Sequence, residues 1–138
     1  MKKLIVLLPL LFTLCVVFGQ GINVPDNILD AFEAKYPDAG KVVWKLKNDT
    51  YQAQFTYETK RLAYFSKAGK WLKTATMVDE IDLPDAAMEY IMDHYEDAEV
   101  SQVQYVIDNK KQSYYLTILK LGDNKIKLKF DDDGKVIV

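Results

Sequence analysis

The chain has 138 residues, with 18 Lys and Arg against 20 Asp and Glu, a formal net charge of −2, one Cys and one His. This composition excludes a strongly basic nucleic-acid binder, a disulfide-stapled scaffold and a Cys/His metal cluster. The length suits one ordinary domain with its own apolar core.

In chain order, Lys2 and Lys3 come first, then an apolar run from Leu4 to Phe18, then Gly19-Gln20. This pattern reads as a secretory signal peptide over residues 1–19, with Val17 and Gly19 as the small residues before the cleavage point. The run is shorter than the roughly 18–20 apolar residues that span a bilayer, which favours cleavage over a retained anchor. A lipoprotein reading would acylate Cys15, but Leu14 stands where a small residue is expected. Cleavage removes Lys2, Lys3 and Cys15. The mature chain then has 16 basic and 20 acidic residues, a formal charge of −4, and is expected in the periplasm or the medium.

The remainder repeats itself. Val24-Pro25-Asp26 returns as Leu83-Pro84-Asp85, an offset of 59, and the same offset takes Phe32 to Ile91, Tyr36 to Tyr95 and Asp38-Ala39 to Asp97-Ala98. The stretch FSKAGKWL, starting at Phe65, returns as FDDDGKVI, starting at Phe130, an offset of 65. Two ordered matches at opposite ends of both copies indicate a duplicated unit, residues 20–79 and 80–138. About six extra residues fall in the second copy, and the turn-rich Lys120-Leu121-Gly122-Asp123-Asn124 is the expected place for them.

Each copy opens with a helix. Pro25 and Pro84 suit a first helical turn and the Asp after each suits the positive helix end. Ile28, Leu29, Phe32 and Tyr36 form one apolar stripe; Met88, Ile91, Met92 and Tyr95 form the other. Pro37 is expected to stop the first helix. Strands follow. Tyr51 to Tyr57 and Lys125 to Phe130 alternate apolar and polar without a break, which implies sheets covered on one face. Val42 to Lys47 and Val103 to Ile107 read as the first strand of each copy, with Asn48-Asp49 and Asp108-Asn109 turning into the next. Tyr114 to Leu121 is apolar on both parities and does not reveal its buried face. Lys-Ala-Gly-Lys and Asp-Asp-Gly-Lys join the third and fourth strands, glycine supplying a positive φ. The fold class is therefore α+β: two tandem helix-plus-four-stranded antiparallel units in one compact body, helices on one face and the other face open.

The Val/Leu-Pro-Asp helix starts, the aromatic helix ends at Tyr36 and Tyr95, and the paired Phe-x-x-x-Gly-Lys turns give the chain from Ile22 to Val138 a family likeness. It resembles the beta-lactamase-inhibitor-like, PepSY-like family of bacterial envelope and secreted proteins. The resemblance implies a repeated helix-plus-sheet fold whose open face holds a partner. It supplies no catalytic motif, and the inhibitor in the family's name does not by itself transfer an activity.

Candidate chemistry is sparse. His94 aligns with Lys35 on the polar side of its helix and has no partner for acid/base work. Asp131-Asp132-Asp133-Gly134 resembles a calcium loop only in part, since no acidic ligand follows at the distance an EF-hand needs; it reads as an acidic turn. Asp79, Glu80 and Asp82 read as a solvated connector. Asn48-Asp49-Thr50 matches a glycosylation pattern that hairpin chemistry already explains. Alternation puts Lys125, Lys127 and Lys129 on the uncovered face, with Lys45, Gln52, Gln54, Tyr64, Gln102 and Gln104. This face can be an ordinary solvated surface whose lysines block strand aggregation, or a docking surface. The expected function is non-catalytic binding of a protein through it, with steric inhibition as one mode. The alternative is a small-ligand or envelope-glycan binder using aromatics such as Tyr64 and Trp71. No cofactor, metal, nucleic acid or membrane span of the mature chain is expected.

Overall fold

The computed structural model describes residues 22–137, so the expected leader and its cleavage point lie outside the described residues. The elements are α1 (Asp26–Lys35), β1 (Val43–Lys47), β2 (Thr50–Tyr57), β3 (Thr59–Ser66) and β4 (Trp71–Val78), then a 3-10 turn (Glu80–Asp82). The second set is α2 (Asp85–His94), β5 (Glu99–Asp108), β6 (Ser113–Leu121), β7 (Asn124–Phe130) and β8 (Val136–Ile137). All eight strands form one antiparallel sheet in sequence order. The halves are joined by the β4–β5 ladder, which runs from Lys73 opposite Asp108 to Val78 opposite Val103.

The two helices are built alike. Pro25 and Pro84 sit one residue before the first helical turn rather than inside it, and their carbonyls accept the first amides, from Ile28 and Leu29 and from Ala87 and Met88. The helices end where the Tyr36 and Tyr95 amides donate to Phe32 and Ile91, each at 2.8 Å. Tyr95 turns out of the helix as Tyr36 does, although no proline follows it. α2 thus stops without the proline that follows α1.

Ile28 and Phe32 of α1 bury against Tyr51, Ala53, Phe55, Ala63 and Phe65, with Trp44 and Trp71 alongside. Phe32 meets Phe55 and Trp44 edge-on, at centroid distances of 5.1 and 5.3 Å. Ala87 and Ile91 of α2 bury with Leu83, Val103, Leu119 and Phe130. Met92 departs from the expected stripe: it is 63% exposed, on the outer side of α2, because Ala87 takes the inward place.

The repeated Gly-Lys turn does more than reverse the chain. Gly69 (φ 81°) and Gly134 (φ 86°) occupy left-handed conformations, and their amides donate to Ser66 and Asp131 in matching turns. Each glycine also lies under the first turn of its own helix. A Cβ at Gly69 would come within 3.1 Å of the Asn27 carbonyl, and one at Gly134 within 2.7 Å of the Ala87 amide nitrogen.

The extra residues of the second copy are not where the sequence placed them. Trp44 corresponds to Val103, an offset of 59, whereas Tyr51 corresponds to Tyr115, an offset of 64. Five residues therefore lengthen the β5–β6 hairpin, and one enters the β6–β7 turn. The first hairpin closes tightly, with Asn48 and Asp49 both at positive φ. The longer one is held by the Asp108 carboxylate, which accepts the amides of Lys110 and Gln112. Asn109 ties it to the Trp71 and Leu72 carbonyls of β4.

Two outcomes follow. Gly69→Ala should destabilise by about 1–2 kcal/mol, the cost of the left-handed backbone. Gly134→Ala should cost about 3 kcal/mol or more, because overpacking against α2 is added; urea midpoints test this, and equal losses would mean that only backbone conformation matters. Thr117 is fully buried with a hydroxyl that has no partner. Thr117→Val keeps the shape and removes that group, so denaturation should show a gain of about 1 kcal/mol.

Candidate functional site

Paired residues in an antiparallel ladder share a face, so the registers place every strand side chain. The nine residues expected on the open face all lie there. Lys45, Gln52, Tyr64 and Lys73 form one row across β1 to β4. Val43 begins the next, continuing through Gln54, Leu62, Ala75, Val106 and Tyr114. Gln104 shares a row with Met77, Leu116 and Lys129, Gln102 pairs through Ile118 to Lys127, and Lys120 faces Lys125. Lys125, Lys127 and Lys129 are exposed. Gln104 is buried, only 9% accessible.

The middle of this face is apolar, which alternation alone had not disclosed. Leu62, Ala75 and Val106 are buried although no helix lies over them, enclosed by Tyr64, Met77, Tyr114 and Leu116. The ambiguous strand is now resolved: Tyr114, Leu116, Ile118 and Lys120 take the open face, and Tyr115, Thr117 and Leu119 the helix face. Sequence reasoning missed these apolar residues. The usable signal was the same double-sided apolar run, since a strand apolar on both parities is covered on both faces.

Lysines border the strip. The Lys73 ammonium lies 4.8 Å from the Tyr64 ring centroid and Lys129 lies 4.9 Å from that of Tyr114. Gln52 donates to the Tyr64 hydroxyl at 3.0 Å. By parity the open face carries Lys45, Lys47, Lys60, Lys73, Lys120, Lys125, Lys127 and Lys129, against only Glu99 and Asp108 among the strand carboxylates. The Asp108 carboxylate is already engaged by the hairpin amides. The helices have the opposite composition, with Asp26, Asp30, Glu33, Asp85, Glu89 and Asp93 against Lys35 and His94. At the first-repeat end, a depression of about 630 Å³ is lined by Lys45, Lys47, Gln52, Tyr64, Leu72 and Lys73, with Asn48 and Thr50.

Trp71 is not part of this face. It packs on the α1 core, donates from Nε1 to the Thr74 hydroxyl at 2.8 Å and carries the Lys35 ammonium 3.7 Å from its ring centroid. It cannot act together with Tyr64. The remaining candidates are engaged locally. His94 stacks on Tyr90 at 4.0 Å. Asp131 accepts the amides of Asp133 and Lys135, and Asp132 accepts the Ser113 hydroxyl at 2.6 Å. Asp82 accepts the Asp79 amide. Among the described residues, no three His, Cys, Asp or Glu side chains converge to hold a metal ion, and no helix is long and apolar enough to cross a membrane.

Burial on the open face raises the Tyr114 hydroxyl above its ordinary value near 10, and Asp108 and Tyr64 push in the same direction. Tyr36 is raised by burial under α1 despite its hydrogen bond to Thr74. A raised folded value means that the unfolded chain releases these protons first. Their contribution is complete below about pH 10 and is lost as pH rises through the folded values. Alkaline denaturation should therefore begin above about pH 10, and Tyr114→Phe should make the decline shallower; an unchanged slope would remove Tyr114 from the account.

A family model, beta-lactamase-inhibitor-like and PepSY-like, matches residues 49–138. Three solved structures have the same fold. A DUF2874 family protein from Bacteroides uniformis superposes with a TM-score of 0.76 at 21% identity, over 84% of this chain and 88% of that one. A DUF2874 family protein from Bacteroides ovatus gives 0.75 at 23%, over 86% and 87%. A BLIP-like protein from Bacteroides fragilis gives 0.71 at 24%, over 86% of each chain. At these identities the likeness is one of fold. No curated protein matches this chain.

Proposed function

The chain belongs to the beta-lactamase-inhibitor-like, PepSY-like family, and from that premise we propose that it is an exported, non-catalytic module that binds another protein through its open sheet face. The observation that carries this reading is a buried apolar strip, left without a covering element and ringed by lysines, in a chain with more acidic than basic residues. Apolar centres bordered by charge supply desolvation and selectivity in that order. Eight strands at about 4.8 Å spacing give a surface over 30 Å wide, enough for the roughly 800 Å² per partner of an ordinary interface.

The favoured partner presents an apolar projection among carboxylates. Its projection would lie on Tyr64, Met77, Tyr114 and Leu116, the partly exposed residues over the strip, with Lys125, Lys127 and Lys129 meeting the acidic groups. The mechanism is steric, and inhibition follows where the covered surface is an active site. Export rests on the Lys2-Lys3 and Leu4 to Phe18 pattern. A second reading, a glycan or small anionic ligand, is favoured by the depression beside Tyr64. It relies on Tyr64 and Tyr114 rather than Trp71.

The test is crosslinking capture from envelope and medium extracts, with the mature chain and its Lys125→Glu/Lys127→Glu/Lys129→Glu variant as baits. The side chains are exposed, so the variant should fold. Capture of a specific protein by wild type, weakened about tenfold or more in the variant and less salt-sensitive there, is the expected result. Equal capture by both baits would remove the lysine face. A tyrosine fluorescence change on titration with anionic glycans, without protein capture, would favour the second reading.

A further inference from the structure

A second apolar surface lies away from the sheet face. Ile81, at the centre of the turn between the repeats, is 89% exposed, and Met92 of α2 is 63% exposed. They border two adjoining depressions that share Met88 and Glu80. The carboxylate residues lining them away from the sheet face are Asp79, Glu80, Asp85, Glu96 and Asp97, and no Lys or Arg lines either depression.

The repeat provides an internal comparison. At the offset of 59, Met92 corresponds to Glu33 and Met88 to Leu29. The first helix thus carries a charge where the second exposes a thioether. Helix packing does not require Met92, since Ala87 and Ile91 make the buried contacts. Exposed apolar side chains inside a ring of one charge are the composition of an interaction site, and this ring calls for cations on the occupant.

We propose that the occupant is a second copy of this chain, whose lysine-bearing sheet face docks on the Ile81–Met92 surface of its neighbour. The complementarity is carried by the chain itself: a cationic rim with Leu116 and Ile118 at its centre on one side, an anionic rim with Ile81 and Met92 on another. Because the two surfaces are different, the contact is head-to-tail rather than two-fold, and repeating it adds copies one after another, in an open chain or, where the rotation between copies closes, in a ring. This rests on the reading of the lysine face as a docking surface. Assembly and capture of another protein then compete for the same lysines.

Sedimentation velocity on the mature chain tests this. Wild type should pass from monomer to a ladder of species as concentration rises, and added salt should reverse it. Two variants separate the halves of the contact: Ile81→Ser/Met92→Gln removes the apolar patch, and Lys125→Glu/Lys127→Glu/Lys129→Glu removes the cationic face. Each alone should associate at least tenfold more weakly. Their equimolar mixture should give a one-to-one complex and nothing larger, since only one intact pair of surfaces remains. A wild type that stays monomeric at millimolar concentration and low salt would overturn the proposal, as would a mixture that fails to pair. Ile81→Ser/Met92→Gln leaves the sheet face intact, so partner capture should persist with it. That distinguishes failure of self-assembly from failure of the docking surface.

Discussion

Each helix is held to the sheet by its first turn resting on the glycine of the hairpin that closes its own repeat. The contact is between main chains: Gly69 against Asn27, Gly134 against Ala87. A ten-residue helix is too short to persist in water, so the helical half of each repeat depends on the sheet for its existence. The glycine sets how closely the two approach. Once the turn and the helix start are in register, Phe65 and Phe130 meet the helix underside, and the remaining strands follow by antiparallel pairing. The aromatic packing around Phe32 adds rigidity. A unit of this size buries a smaller share of its surface than a larger domain and is marginal alone, and the β4–β5 ladder removes one exposed edge from each.

With both helices on one side, the other face must satisfy itself. A sheet exposed over eight strands would ordinarily be polar throughout. Here Leu62, Ala75 and Val106 lie beneath longer neighbours, and Lys73 and Lys129 reach back over the Tyr64 and Tyr114 rings. The alkyl stems cover apolar surface while the ammonium groups stay wet. Displacing these two lysines uncovers the Tyr64 and Tyr114 rings, which with Met77 and Leu116 form the outer surface of the strip.

Legibility followed periodicity. Where polar and apolar residues alternate, as in Tyr51 to Tyr57 and Lys125 to Phe130, the face of each side chain was readable and the nine candidate residues fell on one side together. Where both parities are apolar, as in Tyr114 to Leu121, alternation has no information to give, and Tyr114 and Leu116 of that strand border the uncovered strip. The hairpin insertion was misplaced because turn-forming residues are spread over two segments. Asp108 to Gln112 and Gly122 to Asn124 both look like loops, and only the pairing of Tyr105 with Tyr115 shows which one grew. Met92 was misassigned because a helix stripe read at three- and four-residue spacing does not distinguish its inward edge from its outer one. Trp71 follows a turn whose bulge against Tyr64 and Phe65 shifts parity by one residue, enough to send the indole to the helix side.

The division of charge gives the remaining step. A chain with a small net charge can still carry a field if its signs are sorted, and here the lysines of the strands face away from the carboxylates of the helices and the connector. Folding stability does not require that sorting, since surface charges contribute little wherever they stand. Its physical effect is on encounter: a partner with an acidic surface is attracted to the sheet side and turned away from the helix side before contact. The same field acts between copies of the chain and orients them head-to-tail. In the proposed reading the sorted charge and the apolar strip are thus two parts of one arrangement, in which the field would select the approaching face and the Tyr64, Met77, Tyr114 and Leu116 surface would hold what arrives.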